Sequence, residues 1–319
     1  GKQGWGAEQD AGRPRPRSHV SAWQNCPRAE LVGVFDVDDQ KARQAGQALG
    51  VDYGNLAYAA GRADLVSVAT PPATHREVIH QICTYATAHL IICEKPIALN
   101  HKDAEAIVEQ CDQAGVKLLV NYGRRFHPMI RNVKEQIDQG RIGPLRWASA
   151  WTSGGLWDNQ THMIDLLRFF LGDVGWVYAT GAHPCGERGE YGFVMTLQFA
   201  SGAYAVIHAG DIRQYVQFDV SLFGDGGAVH LTEYGLHATW LKRSRDYPLS
   251  GDYNRLLEVH REKAPPTTFL GEMAEHACDV LDGTTEPWCT GADGLAAVQI
   301  CEAAQRSLAA GSMPIVPGA

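Results

Sequence analysis

The feature that most constrains the fold is an alternation, between residues 30 and 123, of short apolar runs with helical stretches. The apolar runs are almost unbroken: "ELVGVFDV" (30–37), "ADLVSVATPP" (63–72), "HLIICEKP" (89–96) and "VKLLVNYG" (116–123). Strands that are apolar on both faces need helices on both sides of a parallel sheet. The sequence therefore predicts an α/β fold, with a parallel-sheet domain over residues 1–122.

After residue 124 the pattern changes, and we assign residues 123–319 to a second, α+β domain. A helix over 161–172 is apolar nearly all round, which predicts that it is buried. Consecutive strands joined by Gly-containing turns follow between 175 and 241 and predict a large, mostly antiparallel, open-faced sheet. The last helices, near 268–283 and 291–310, are candidates to pack back on the first domain.

Composition excludes several classes of protein. The net charge of −8 over 319 residues argues against a nucleic-acid-binding surface. No apolar run is long enough for a membrane span, and because no charged-then-apolar stretch stands at the start, we expect no secretory leader. The eight cysteines show no CxxC spacing, which indicates reduced thiols in a cytoplasmic protein and neither a disulfide framework nor a zinc site.

Polar residues follow the predicted strands of the first domain at their carboxyl ends, where α/β sheets bind ligands. They are Asp36, Thr70 (followed by Pro71), Glu94, Lys95 and Asn121. Asp36 is placed to bind an adenosine ribose, and because no arginine follows it we favour NAD over NADP. A solvated loop aspartate is the alternative.

Lys95 lies between Glu94 and Pro96 just after a buried strand. A lysine held there can stabilise charge that develops on a substrate oxygen, and Glu94 can reach a ribose hydroxyl or moderate the lysine. A surface ion pair of little energetic value is the alternative.

The segment "GGLWDNQTHMID" (154–165) places Asp158, His162 and Asp165 on one face of a helix. A histidine in the first helical turn, oriented by a carboxylate one turn away, is a general-base arrangement. The alternative is a helix cap beside a satisfied histidine. The spacing could also hold a metal, but no further ligand cluster completes a set, so no metal site is expected.

Together these segments resemble the glucose–fructose oxidoreductase, inositol dehydrogenase and rhizopine-catabolism (Gfo/Idh/MocA) family. The matching segments are "VATPPATH" (68–75), "CEKP" (93–96), "RRFHP" (124–128), "GRIGPL" (140–145), "GGLWDNQTHMID" and "GADGLAAVQICEAAQRS" (291–307). The resemblance implies a Rossmann-like first domain with Lys95, Asp158 and His162 as catalytic residues. It also implies that Thr70, Pro71, His75, Glu94 and Asn121 line the nicotinamide side and that Arg125 contacts cofactor or substrate.

The resemblance implies an NAD-dependent dehydrogenase or reductase that acts on a secondary alcohol of a sugar, sugar derivative or cyclitol. Two alternatives stay open: a non-catalytic binding or regulatory protein, and redox-assisted glycoside cleavage or reduction of an imine or pigment. The partners expected are a sugar-like small molecule and further copies of the chain, as a dimer or tetramer formed through the open sheet face. No nucleic-acid or membrane partner is expected.

Two departures from the family pattern bear on these expectations. Residues 1–17 contain no central strand and no G-x-G-x-x-G, and Ala11, Arg13 and Pro16 stand at the glycine positions. Either this start is wrongly joined or the phosphate cradle is absent, so we expect weak cofactor binding by the chain as written. Because the link before residue 154 is short, Trp151, Trp157 and Asn159, with His162, are candidates to line the substrate pocket. Core packing is the alternative, and we favour it for at least one of the two tryptophans.

Overall fold

The computed structural model describes residues 15–54, 56, 60–85, 87–186, 189–246, 248, 251, 253–265 and 267–319. Ala11 and Arg13, two of the positions at which family glycines are missing, lie outside the described residues. The chain divides into two compact units. The first consists of the described part of Gly1–Phe126 together with Thr267–Val298, and the second of His127–Pro266 and Gln299–Ala319. This division differs from the predicted boundary after residue 122 and assigns Thr267–Val298 to the first unit.

The first unit contains parallel strands that alternate with helices. In chain order its elements are α1 (His19–Asn25), β1 (Gly33–Val34), α2 (Asp39–Leu49), β2 (Asp52–Tyr53), β3 (Leu65–Val68), α3 (His75–Tyr85), β4 (Leu90–Glu94), α4 (His101–Ala114), β5 (Lys117–Asn121) and α7 (Leu270–Leu281). Strand β1 pairs with β2, and β4 lies between β3 and β5, all in parallel. The predicted parallel strands with alternating helices are thus confirmed, and in the described residues they form two sheets, one of two strands and one of three.

Strand β4 shows why the apolar runs predict this arrangement. All five of its residues, from Leu90 to Glu94, are buried. The helices begin and end at residues that the sequence also supplies: the Asn100 side chain caps α4, and Gly115 ends it with a φ of 68°. An asparagine cap and a left-handed glycine stop are both favoured at these positions. These local signals hold the β4 carboxyl end at a defined place in the unit.

The second unit is built on an eight-stranded sheet. Its elements are α5 (Pro128–Asp138), β6 (Leu145–Ser153), a π-helical turn (Leu156–Gln160), α6 (Thr161–Leu171), β7 (Val174–Pro184), β8 (Tyr191–Phe199), β9 (Tyr204–Gly210), β10 (Phe218–Gly224), β11 (Gly227–Thr232), β12 (His237–Ser244) and β13 (Arg255–Lys263). The strand order is β13-β12-β11-β10-β6-β9-β8-β7, and only the β6–β9 pair is parallel. The mostly antiparallel sheet is confirmed. Helix α8 (Gly291–Ala309) spans the division between the two units.

Edge strand β13 is missing from the sequence-based assignment. Its sequence "RLLEVHREK" is largely charged and exposed, so it lacks the apolar pattern that marks a strand. Charged side chains on an edge strand prevent it from pairing with a further chain. The charged residues that suit an edge strand are therefore the reason why the apolar pattern does not predict β13.

The two faces of the large sheet differ in their surroundings. On one face, Ala148 and Ala150 of β6 join a buried cluster with Ile164 and Leu167 of α6. Side chains alternate along a strand, so the neighbouring tryptophans of β6 project from the opposite face.

Within the described ranges, no helix is long and apolar enough to cross a membrane.

Candidate functional site

Polar residues meet at the carboxyl ends of adjacent strands in the first unit. Glu94, the last residue of β4, is paired in register with Asn121, the last residue of β5. Strand β3 is in register with β4 up to the pair Val68–Cys93, so Thr70 follows two residues after the neighbouring strand end. The predicted grouping of polar side chains at this sheet edge is present.

Glu94 is a buried carboxylate held by two side chains. Its Oε1 lies 2.8 Å from His19 Nε2 and accepts a hydrogen bond of 2.7 Å from Asn121 Nδ2. Burial by itself would raise the pKa of the Glu94 carboxyl. The hydrogen bond and charge of His19, then the Asn121 hydrogen bond and the Lys95 charge, outweigh burial and lower that pKa below its usual value. Glu94 is therefore ionised at neutral pH although only 7% of the residue is exposed.

Three buried polar atoms have no hydrogen-bond partner among the residues that the structure describes: His19 Nδ1, Asn121 Oδ1 and Thr70 Oγ1. The first two belong to the residues that contact Glu94, and Thr70 follows the neighbouring strand β3. Such atoms are costly unless a ligand or water satisfies them. The carboxamide and ribose hydroxyls of a nicotinamide nucleotide carry both donors and acceptors, so the atoms present fit that group. Sequence reasoning assigned no role to His19; its only signal is its position just after the expected fingerprint.

His75 is fully buried, and both of its ring nitrogens face backbone carbonyls. Its Nε2 lies 2.9 Å from the Thr70 oxygen and its Nδ1 lies 3.0 Å from the Ile97 oxygen. The imidazole therefore links the loop after β3 to the loop after β4, which carries Lys95 and the cis Lys95–Pro96 peptide. This geometry favours a role in holding the two loops together. The predicted direct contact with cofactor stays a prediction for His75, as it does for half-buried Thr70 and exposed Pro71.

Asp36 follows two residues after β1 and is half-buried. Its Oδ1 accepts a 3.0 Å hydrogen bond from the Asp38 backbone N–H, and the Asp38 side chain in turn caps α2. The Asp36 carboxylate is thus oriented locally by the turn that starts α2. Oδ1 takes part in that turn. Binding of a ribose hydroxyl by Oδ2 stays a prediction.

Arg125 lies inside the first unit and is 5% exposed. Its guanidinium donates to the Trp288 carbonyl oxygen at 3.0 Å and to Asp293 at 3.1 Å. The Trp288 ring stacks on His276 with a centroid separation of 3.9 Å. These contacts tie the segment after β5 to the start of α8, so the geometry favours a structural role beside the predicted cofactor contact.

In the second unit, Asp158 and His162 lie on consecutive helical turns. Asp158 belongs to the π-helical turn, which is closed by a hydrogen bond from the Thr161 N–H to the Leu156 oxygen. This turn continues directly into α6, where His162 is the second residue. The helical segment therefore begins at Leu156, near Asp158 and one turn earlier than the sequence pattern predicts. Single π-turns of this kind occur frequently at functional sites.

Gln160 explains how the π-helical turn is held. Its side-chain amide makes two hydrogen bonds to the Phe193 backbone of β8, donating at 2.7 Å and accepting at 2.8 Å. Asn159 donates to the Ser153 oxygen at 2.7 Å and thereby fixes the turn to the end of β6. A glycine at position 160 would lack the first of these anchors. Sequence reasoning noted the residue but not this role.

Trp151 lies on the open face of the sheet. The residue is 37% exposed, and its ring stacks on His208 of β9 at 5.4 Å between centroids. Buried Ala150 and Thr152 precede and follow it, so its side chain leaves the sheet on the face opposite α6. Trp157, by contrast, packs against the core of the second unit.

Among the residues that the structure describes, no three His, Cys, Asp or Glu side chains are grouped so that they could hold a metal ion. The site, as far as the structure describes it, is organised by hydrogen bonds and buried charge.

Two family models together match more than half of the chain. Residues 11–122 match the oxidoreductase family with an NAD-binding Rossmann fold, and residues 144–230 match the GFO/IDH/MocA C-terminal domain. These matches confirm the resemblance that the sequence motifs indicated.

Known proteins also resemble the chain over most of its length. The inositol 2-dehydrogenase of Rhizobium meliloti is 28% identical over 91% of this chain and 93% of its own. The D-apiose dehydrogenase of Paraburkholderia graminis is 34% identical over 50% of this chain and 47% of its own. A solved structure from Sinorhizobium meliloti 1021, assigned as a myo-inositol dehydrogenase, has a TM-score of 0.75 at 27% identity and covers 94% of this chain and 95% of that one. The predicted fold class is thus confirmed.

Replacing Arg125 distinguishes its two roles. The Arg125→Ala variant should lose about 3 kcal/mol of unfolding free energy, because it leaves the Asp293 carboxylate without its buried partner. The control Arg76→Ala removes an exposed pair with Asp103 and should cost at most about 1 kcal/mol. Urea unfolding measures both. Unchanged stability in Arg125→Ala together with weakened NADH binding would instead favour direct cofactor contact.

Proposed function

Because the chain belongs to the GFO/IDH/MocA family of oxidoreductases, we propose that it is an NAD-dependent dehydrogenase or reductase of a secondary alcohol in a sugar, sugar derivative or cyclitol. The observation that carries this proposal is the ionised, buried Glu94 among three unsatisfied buried polar atoms at the strand ends. A protein retains so costly an arrangement where a polar ligand completes it.

The cofactor proposed is NAD, with Glu94, Asn121, Thr70 and Asp36 as the residues that would hold it. When bound, a nicotinamide accepts or donates the hydride. The Asp36 carboxylate accepts ribose hydroxyls but repels a 2′-phosphate, which supports NAD over NADP. Pro71, His75 and Arg125 act in this proposal by supporting the loops and segments that carry the binding residues.

Lys95, Asp158 and His162 are the proposed catalytic residues. The Lys95 ammonium would stabilise charge that develops on the substrate oxygen. His162 would take the hydroxyl proton during oxidation or return one to the carbonyl during reduction, and Asp158 would orient the imidazole. The N-terminal end of the helix, now placed at the π-helical turn, favours the negative charge of Asp158. Asn159 and His162 are the residues proposed to contact the substrate.

The substrate class follows from the relatives. Two of them are named for oxidation of inositol and of D-apiose, both polyhydroxylated molecules with secondary alcohols. We therefore propose myo-inositol and D-apiose as the first compounds to test with NAD⁺. The burial of seven of the eight cysteine side chains supports a reducing, cytoplasmic location.

The open face of the large sheet is proposed to pair with a second copy of the chain. Trp147 and Tyr204 are 36% and 47% exposed there, and Trp147 stacks on Phe223 at 3.6 Å. Trp151 extends the same row of aromatic side chains. We therefore propose that Trp151 contacts the second copy of the chain, and we prefer this role to the substrate contact that the sequence predicted. Aromatic rings on an exposed face are typical of protein–protein interfaces.

Removing either proposed catalytic side chain should abolish turnover. Lys95→Ala and His162→Ala should each lower kcat with NAD⁺ by at least about a hundredfold, since well-placed acid–base or charge stabilisation contributes that much. The control Lys102→Ala changes an exposed lysine of α4 and should leave kcat unchanged. Circular dichroism checks the fold. Turnover unaffected by both catalytic-site changes would contradict the assignment, and absent turnover in the unmodified chain would favour a regulatory protein.

Placing a charge on the open face should separate the subunits. Trp147→Glu should shift the protein from dimer or tetramer to monomer, because an unpaired carboxylate would be buried in the interface. Sedimentation velocity measures the change. The control Tyr85→Glu alters an exposed aromatic residue of α3 and should leave the assembly intact. A monomeric unmodified chain would contradict the proposed interface.

A further inference from the structure

We propose that His19 is a positioning residue for this reaction: it holds the Glu94 carboxylate fixed and ionised so that Glu94 Oε2 binds a hydroxyl group of the cofactor. The inference rests on the proposed function, because it needs a nucleotide to bind at the strand ends. His19 and Glu94 are 75 residues apart in the chain and come from different elements, α1 and β4. Only the tertiary fold brings these two residues together, because no local sequence pattern couples them.

The position of His19 is set by the start of α1. Ser18 caps the helix, and its hydroxyl accepts from the Ser21 N–H while the Ser21 hydroxyl accepts from the Ser18 N–H. Further along the same helix, Trp23 Nε1 donates to Ser67 of β3 at 2.9 Å. These contacts fix the helix on the sheet, so that the imidazole meets Glu94 from a constrained backbone. His19 itself is 3% exposed.

The hydrogen bonds to Glu94 are unevenly distributed. Both His19 Nε2 and Asn121 Nδ2 contact the same oxygen, Oε1. Oε2 has no hydrogen bond from any residue that the structure describes, although an ionised carboxylate oxygen accepts more than one. The carboxyl group is therefore anchored at one oxygen and available at the other. A hydroxyl group of a ligand is the donor that Oε2 can accept.

The charges around Glu94 assign the larger electrostatic role to His19. The titratable groups that face it are His19 on α1, Lys95 directly after it and Cys93 directly before it, while Asn121 on β5 is neutral. Among the interactions that oppose burial, those with His19 are the largest. Without the imidazole, burial would raise the pKa of the Glu94 carboxyl. A protonated Glu94 could no longer present two acceptor oxygens.

His19 also contributes an atom of its own. Because Glu94 only accepts hydrogen bonds when ionised, Nε2 carries a proton and donates it. The second ring nitrogen, Nδ1, is buried and has no hydrogen-bond partner in the part of the chain that the structure describes. The same imidazole thus fixes the carboxylate and presents a further polar atom that a ligand can satisfy.

The test is an NADH fluorescence titration from about pH 5 to about pH 9, the range in which histidines and perturbed carboxyls titrate. Four proteins are compared: the unmodified chain, His19→Ala, His19→Gln and Val20→Ala. His19→Ala should weaken NADH binding at neutral pH about tenfold, the effect expected for one lost hydrogen bond to a buried charge. The pH below which NADH binding weakens should rise, because the His19 interactions would no longer oppose the effect of burial on the pKa of Glu94. His19→Gln retains a hydrogen-bond donor in place of the imidazole and should recover part of the affinity.

Val20→Ala is the matched control, because it removes packing from the next residue of the same helix without touching Glu94. It should lower the melting temperature and leave the pH profile of NADH binding unmoved. If His19→Ala fails to fold, His19→Gln supplies the comparison with the unmodified chain. NADH binding by the unmodified chain with an identical pH profile in both His19 variants would overturn the inference alone. No NADH binding by the unmodified chain would contradict the proposed function as well.

Discussion

The burial of one ionised carboxylate, that of Glu94, is the constraint on which the rest of the first unit depends. A buried charge is tolerated only where hydrogen bonds and an opposite charge compensate the lost hydration. His19 and Asn121 supply the hydrogen bonds, and Lys95 supplies positive charge. These partners come from α1, from the loop after β4 and from β5. The carboxylate therefore requires that the helix, the loop and the strand be placed together.

In the second unit, side-chain hydrogen bonds fix the π-helical turn. The π-helical turn that carries Asp158 is fastened to β8 by the Gln160 amide and to β6 by the Asn159 amide. An irregular turn has backbone groups that a regular helix would satisfy, and side-chain amides are well suited to replace them. Because the turn is fixed, the first residues of α6 are fixed too, and so is the position of His162 on this helix.

How far the sequence predicts the structure depends on the range of the interaction involved. Apolar runs predict the parallel strands, and the capping residues Asn100 and Gly115 predict where α4 begins and ends. The strand ends at Glu94 and Asn121 follow from that pattern. The pairing of His19 with Glu94 and the contact of Arg125 with Asp293 could not be predicted, because each joins distant segments that no local pattern couples. Charged β13 was missed because its edge position favours residues that are untypical of strands.

The most direct test of the central claim is a fluorescence titration of the unmodified chain with NADH and with NADPH under the same conditions. We predict NADH binding that is weak, because the phosphate-binding glycines are missing, but still measurable. NADPH binding should be weaker again, because Asp36 repels a 2′-phosphate, whereas a nicotinamide nucleotide completes the Glu94 cluster. Binding of NADPH that equals or exceeds that of NADH would contradict the role of Asp36. Binding of neither nucleotide would contradict the assignment of the strand-end cluster as a cofactor site.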